Sequence, residues 1–113
     1  MSDRVISSLA ELRTVLGGET HPLNIAKSVS ALDEHCRRFL ELSTFCTIAS
    51  CSAEGKMDVS PQGDPPGFAR VLDDHTIAIP ERPGNRRADT FVNVLENPAV
   101  GLIFLVPGVD ETL

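Results

Sequence analysis

The stretch after Leu42 constrains the chain most. From there to Leu113 short apolar runs alternate with turn residues, a texture that favours strands over helices. "FCTIASC" (45–51) reads as a strand, and "AEGK" turns it into a hairpin partner, "MDVSP" (57–61). "QGDPPG" is a loop, because Pro65 and Pro66 cannot serve a sheet interior. "FARVL" (68–72), a "DDH" turn and "TIAIP" (76–80) predict a second hairpin. "AVGLIFLV" (99–106) is continuously apolar, the pattern of a strand buried on both faces. "PGVD" then turns, and "ETL" opens a further strand. Five strands and the start of a sixth leave an open edge, which invites another chain. The sequence is therefore expected to be a fragment or to be completed by a partner.

Helices flank this β region. Val5, Leu9, Leu12 and Leu16 recur at helical spacing before Gly17-Gly18, which predicts an amphipathic helix over 4–16. Residues 19–29 can be read either way. Ser30 and Asp33 resemble a capping box for a helix over 31–42, with Leu32, Cys36, Phe39 and Leu40 on its apolar stripe. Asp33–Arg37 and Glu34–Arg38 are the expected i,i+4 pairs on its other face. Residues 85–96 read as a short helix with Phe91, Val94 and Leu95 inward, ended by Asn97-Pro98. The expected organisation is an N-terminal helical extension, 1–29, and a mainly β domain, 30–113.

Charge narrows the function. The 113 residues carry a formal net charge of −6, which argues against a nucleic-acid partner. No run of 18 apolar residues suggests a membrane span, and the N-terminus lacks a signal-peptide core. Three cysteines without framework spacing suggest reduced thiols and a cytoplasmic protein. Their spacing to His21, His35 and His75 does not suggest a metal site.

Against that acidic background "IPERPGNRRADT" (79–90) holds Arg82, Arg86 and Arg87 within six residues. Cations at a helix start oppose its dipole unless an anion sits between them. Asn85 is a candidate N-cap beside a glycine, and free amides there favour phosphate. The alternative is a solvated surface on which the arginines pair with Glu81, Asp89 or Glu96. No Walker-type or dinucleotide glycine signature is present, and Ser60 before Pro61 does not lie on a nucleophile elbow.

"SPQGDPPG", the "LDD" turn, "RPGNRR" and "NPAVGLIFLVPG", with "LDEHCRRFLELSTF" upstream, together resemble the pyridoxamine 5′-phosphate oxidase-like, FMN-binding split-barrel family. Within it they are closest to a bacterial subgroup of FMN-dependent enzymes. The resemblance covers roughly residues 30–113. It implies an antiparallel split β-barrel and a homodimer with FMN at the subunit interface. By the same resemblance Ser60, Pro61 and Gln62 lie beside the flavin, Ile79 and Pro80 line its ring, and Arg82, Asn85, Arg86 and Arg87 hold its phosphate and ribityl tail. Two departures stand out. Relatives commonly carry Arg where this chain has Gln62, and they continue past "ETL", so the barrel is expected to be incomplete at its C-terminus. The implied activity is an FMN-dependent oxidoreductase acting on an unspecified small molecule. A non-catalytic flavin-binding module, a cofactor-free dimerising fragment, and a haem or deazaflavin protein are the alternatives, although no histidine lies in the implied pocket.

Overall fold

In the computed structural model the described residues are 5–81 and 89–113. They divide into two compact units, one ending at Ser30 and the other running from Ala31 to Leu113.

The first unit holds two short helices, α1 (Leu9–Leu16) and α2 (Pro22–Ala26). The expected start of α1 at residue 4 is corrected by its cap. Ser8 is extended, and its Oγ accepts the Glu11 N–H at 3.1 Å. The Glu11 carboxylate returns to the Ser7 N–H at 3.2 Å, so Ser8 and Glu11 form a capping box shifted by one residue at its second bond. Gly17 ends the helix with φ of 84°. In α2, Pro22 takes the first helical position, and His21 Nδ1 accepts the Leu23 N–H at 3.1 Å.

The second unit opens with α3 (Glu34–Leu42). Its cap is Asp33 rather than Ser30, because Asp33 Oδ1 accepts the Cys36 N–H at 2.8 Å. The helix accordingly starts three residues later than expected. The expected i,i+4 ion pairs are replaced as well. Arg38 reaches Glu41 one turn on at 3.0 Å, and Arg37 leaves the helix to meet Asp74 at 2.6 Å. The Leu32 N–H also donates to the Asp74 carbonyl at 2.8 Å, which ties the start of α3 to a distant turn.

Five strands follow among the described residues. β1 (Phe45–Cys51) is central in a three-stranded antiparallel sheet of order β2-β1-β5, with β2 (Met57–Gly63) and β5 (Gly101–Leu105) beside it. β3 (Arg70–Asp73) and β4 (Thr76–Ala78) form a separate hairpin, and α4 (Asp89–Glu96) lies against β1 and β2. The architecture is the mainly β, antiparallel one with flanking helices that the sequence predicts. Among the described residues the sheets do not close into a barrel. Leu113 exchanges both backbone bonds with Phe104, at 2.7 and 3.2 Å, so "ETL" does pair beside β5.

The core lies between the sheet, α3 and the hairpin. Leu40, Cys46, Phe68, Ala69 and Phe104 are buried, and Ile48, Val71, Ile77, Ile79 and Leu102 pack around them. β5 does not bury both faces as expected. Phe104 is 2% exposed, whereas its neighbour Ile103 is 52% exposed, since alternate side chains of a strand leave on opposite sides. Gly67 joins the loop to the core with φ of 77°, and a Cβ there would meet the Glu41 carbonyl at 3.4 Å.

Ser43 holds the junction. It is fully buried, and its Oγ lies 2.7 Å from the Leu105 carbonyl and 3.0 Å from that of Phe45. One hydroxyl proton is shared between the two, with the shorter contact favoured. Ser43→Ala strips both carbonyls of that donor in a dry site. We expect a loss of about 1–3 kcal/mol in urea unfolding.

Two exposed carboxylates make stability depend on acid. The Cys36 backbone N–H holds Asp33 below its ordinary 3.8, and the His75 backbone N–H does the same for Asp73. A carboxyl depressed in the folded state stabilises above its unfolded value, and that contribution disappears as pH falls through the folded one. Asn caps a helix as well as Asp but does not titrate. Asp33→Asn is therefore expected to match the wild type at pH 7 and to lose less stability below about pH 4, read as unfolding midpoint against pH.

Candidate functional site

β2 inverts the usual pattern of a surface strand. Met57, Val59 and Pro61 are exposed, while Asp58, Ser60 and Gln62 turn inward. The register explains the inversion: Gln62 lies opposite Cys46, Ser60 opposite Ile48, and Asp58 opposite Ser50. Cys46 and Ile48 belong to the core, so their β2 neighbours must share that face. Three polar residues on a core face need partners, and each has one.

Gln62 Nε2 donates to the Pro80 carbonyl at 2.8 Å. Ser60 Oγ donates to Asp58 Oδ2 at 2.8 Å and lies 3.1 Å from Thr90 Oγ1. Thr90 Oγ1 is also 3.5 Å from Asp58 Oδ2. One turn along α4, Asn93 Nδ2 donates to the buried Ser50 Oγ at 3.0 Å. Thus α4 meets the sheet through a polar seam rather than an apolar one.

This seam corrects the expected phase of α4. Thr90, Asn93 and Val94 are half-buried, whereas Phe91 is 52% and Leu95 88% exposed. The hydrogen-bonding residues of α4 take the inner face, which leaves its aromatic ring and leucine outside.

The residues that the sequence assigns to one site fall out as follows. Ser60 and Gln62 share the inner face of β2. Pro61 lies on the opposite face. Ile79 packs on the core, and Pro80 is joined to Gln62. Arg82, Asn85, Arg86 and Arg87 lie outside the described residues. Of their proposed surface partners, Glu96 is already engaged by the Ala53 N–H at 3.0 Å.

The backbone of β2 adds a second element. Asp64 donates its N–H to Thr44 at 3.0 Å, and Ser52 donates to the Lys56 carbonyl at 2.9 Å. These bonds set the phase of the ladder, in which even-numbered residues of β2 face β1. Val59, Pro61 and Gly63 therefore turn their backbone groups to the outer edge. Pro61, which has no N–H to give, sits where none is needed. On the inner face burial pushes the Cys46 thiol up, so it stays protonated at neutral pH.

Sequence reasoning missed Asp58, Thr90 and Asn93. The signal for Asp58 was available, since Asp58-x-Ser60-x-Gln62 is a strict period-2 polar row. Which of the two faces of β2 would turn inward was not. A separate cleft of about 270 Å³ between α3 and β3, lined by Arg37, Leu40 and Arg70 among others, shares no residue with this seam.

A family model described as pyridoxamine 5′-phosphate oxidase matches residues 32–111. No curated protein and no solved structure matches the chain.

Proposed function

The chain belongs to the pyridoxamine 5′-phosphate oxidase family, and from that premise we propose that it is an FMN-binding oxidoreductase, cytoplasmic, with the flavin held at a homodimer interface. The observation that carries this reading is the reach of the family match, which takes in every residue from Ser60 to Arg87 that the reading assigns to the cofactor.

The donor chemistry fits FMN at both of its ends. Arg82, Arg86 and Arg87 offer charge-assisted, bidentate contacts to a phosphate, and Asn85 an amide. The outer edge of β2 offers the backbone groups of Val59 and Gly63 to the polar rim of a ring. Bound flavin would supply hydride or electron transfer, and the protein's part is to hold and orient it.

The exposed face of the sheet supports a second copy. Met57 (67% exposed), Val59, Ile103 and Leu105 present an apolar surface on β2 and β5, with Ala49 of β1 between the two strands. Contiguous apolar surface of this kind marks an interaction site. The free state of Cys36, Cys46 and Cys51 agrees with a reducing compartment. A second reading, a cofactor-free dimerising unit, draws on Gln62, which carries no charge and gives one of its two amide N–H groups to the Pro80 carbonyl.

The visible spectrum of protein supplemented with FMN and then desalted separates the two. Flavin bands near one per chain are expected. A colourless, folded dimer would overturn the cofactor reading and favour the second. Arg86→Ala and Arg87→Ala are each expected to weaken FMN binding about tenfold or more, with the unfolding midpoint unchanged. Equal affinity in both variants would return the arginines to a solvated surface.

Val59→Asp places a charge on the exposed sheet face without touching the inner row. Sedimentation is expected to shift from dimer towards monomer. An unchanged dimer would remove this face from the interface.

A further inference from the structure

The N-terminal unit is rich in apolar residues that it does not bury. Leu9, Leu12, Val15 and Leu16 of α1, with Leu23 and Ile25 of α2, are between 37% and 67% exposed. No described residue of the unit is buried. Steps of three and four residues return to one side of a helix, so the four apolar residues of α1 form a stripe. The other side is polar, and there Thr14 donates to the Ala10 carbonyl at 3.0 Å. Arg13 turns to Glu19 at 3.5 Å and to Thr20 Oγ1 at 3.1 Å, which leaves the stripe itself without charge.

Such a unit lacks the means to hold itself. Helices of eight and five residues are marginal alone, because nucleation costs more than so few turns return. Chains below about 40 residues hold a fold through disulfides, metals or association. The unit ends at Ser30 and the first cysteine is Cys36, so no disulfide is open to it. Among the described residues no group of His, Cys, Asp and Glu could hold a metal ion. Association is the device that is left.

Charge bears on the partner. Arg4, Arg13 and Lys27 cancel Asp3, Glu11 and Glu19, so the formal net charge of −6 belongs wholly to the second unit. An anionic membrane surface selects an excess of lysine and arginine, which this unit does not have. A second copy of the unit offers an equal apolar stripe and no net repulsion. A twofold axis asks only that one surface complement itself.

We infer that the N-terminal unit is a self-association element, in which the α1 stripe of one chain packs on the α1 stripe of a second copy. Burying Leu9, Leu12, Val15 and Leu16 in the pair removes the stripe from water and holds helices too short to stand alone. The inference uses no residue of the flavin reading and none of the exposed sheet face. It adds a second contact to the homodimer proposed above.

The test is sedimentation of the full chain as wild type, Leu9→Glu and Thr14→Glu, each also in the Val59→Asp background. Leu9 opens α1, where a carboxylate suits the helix dipole, so glutamate strikes the stripe without weakening the helix. Thr14→Glu adds the same charge on the opposite side. Leu9→Glu is expected to raise the dimer dissociation constant about tenfold or more, and Thr14→Glu to match its parent. Equal behaviour of the two variants would overturn the inference. Weakening by Leu9→Glu but not by Val59→Asp would remove the sheet face and keep α1, and the reverse would remove α1 and keep the sheet face. A monomeric wild type would overturn both. A photo-cross-link from p-benzoylphenylalanine in place of Leu16 locates the contact. The expected product has twice the chain mass and joins residue 16 to residues 5–30. A product of single-chain mass, a link into residues 31–113 of either chain, or no product would overturn the inference.

Discussion

The pairing of β1 with β2 is the constraint on which the rest of this unit depends. Cys46 and Ile48 must face the core, and antiparallel register then turns Gln62 and Ser60 to the same side. A slip of one residue would send Met57, Val59 and Pro61 inward and throw the polar row into solvent. The slipped strand would bury more apolar surface. It would also leave Thr90 of α4 without its Ser60 partner on β2, and the Pro80 carbonyl without Gln62. Polar groups on a half-buried face lose stability when left unpaired, so the polar seam reinforces the register that the core residues of β1 require.

A polar seam has consequences on both of its sides. Because α4 docks through Thr90 and Asn93, its large apolar side chains are left outside. Because β2 turns its polar residues inward, its apolar ones form half of an exposed sheet face, and Ile103 and Leu105 of β5 extend that face. The unit therefore shows apolar surface where an isolated domain would hide it. The core beneath it is nonetheless well made, and the exposed face is the one the proposed second copy would cover. Phe68 and Phe104 meet with ring centroids 6.3 Å apart, Leu40 and Cys46 are almost wholly buried, and the buried hydroxyls of Ser43 and Ser50 are both bonded.

What could be read from the sequence follows from how local each signal is. β1 was legible to the residue, because "FCTIASC" is bounded by a helix end on one side and a Gly-containing turn on the other. The family was legible because its motifs are contiguous and jointly specific. The start of α1 was legible and was misread: Ser8-x-x-Glu11 is a capping signature, and Val5 lies outside it. The phase of α4 was not legible. Phe91, Val94 and Leu95 make as good an inner face by spacing as Thr90, Asn93 and Val94, and only the polar residues waiting on β1 and β2 decide between them. Arg37 chose Asp74 over its helical neighbour for a similar reason, since a partner 37 residues away has no local signature. For the candidate site, Ser60, Gln62 and Pro80 came from resemblance alone, whereas Asp58 and Thr90 needed the fold.

Gln62 is where these threads meet. The family resemblance of the sequence implies an arginine at this position. An arginine has five donors, so it could hold the Pro80 carbonyl and still present charge to an anion. Glutamine has two donors and no charge, and in this chain one of them is spent on Pro80. On the anion reading proposed above, in a chain with a formal net charge of −6, the demand for positive charge at a phosphate falls on Arg82, Arg86 and Arg87.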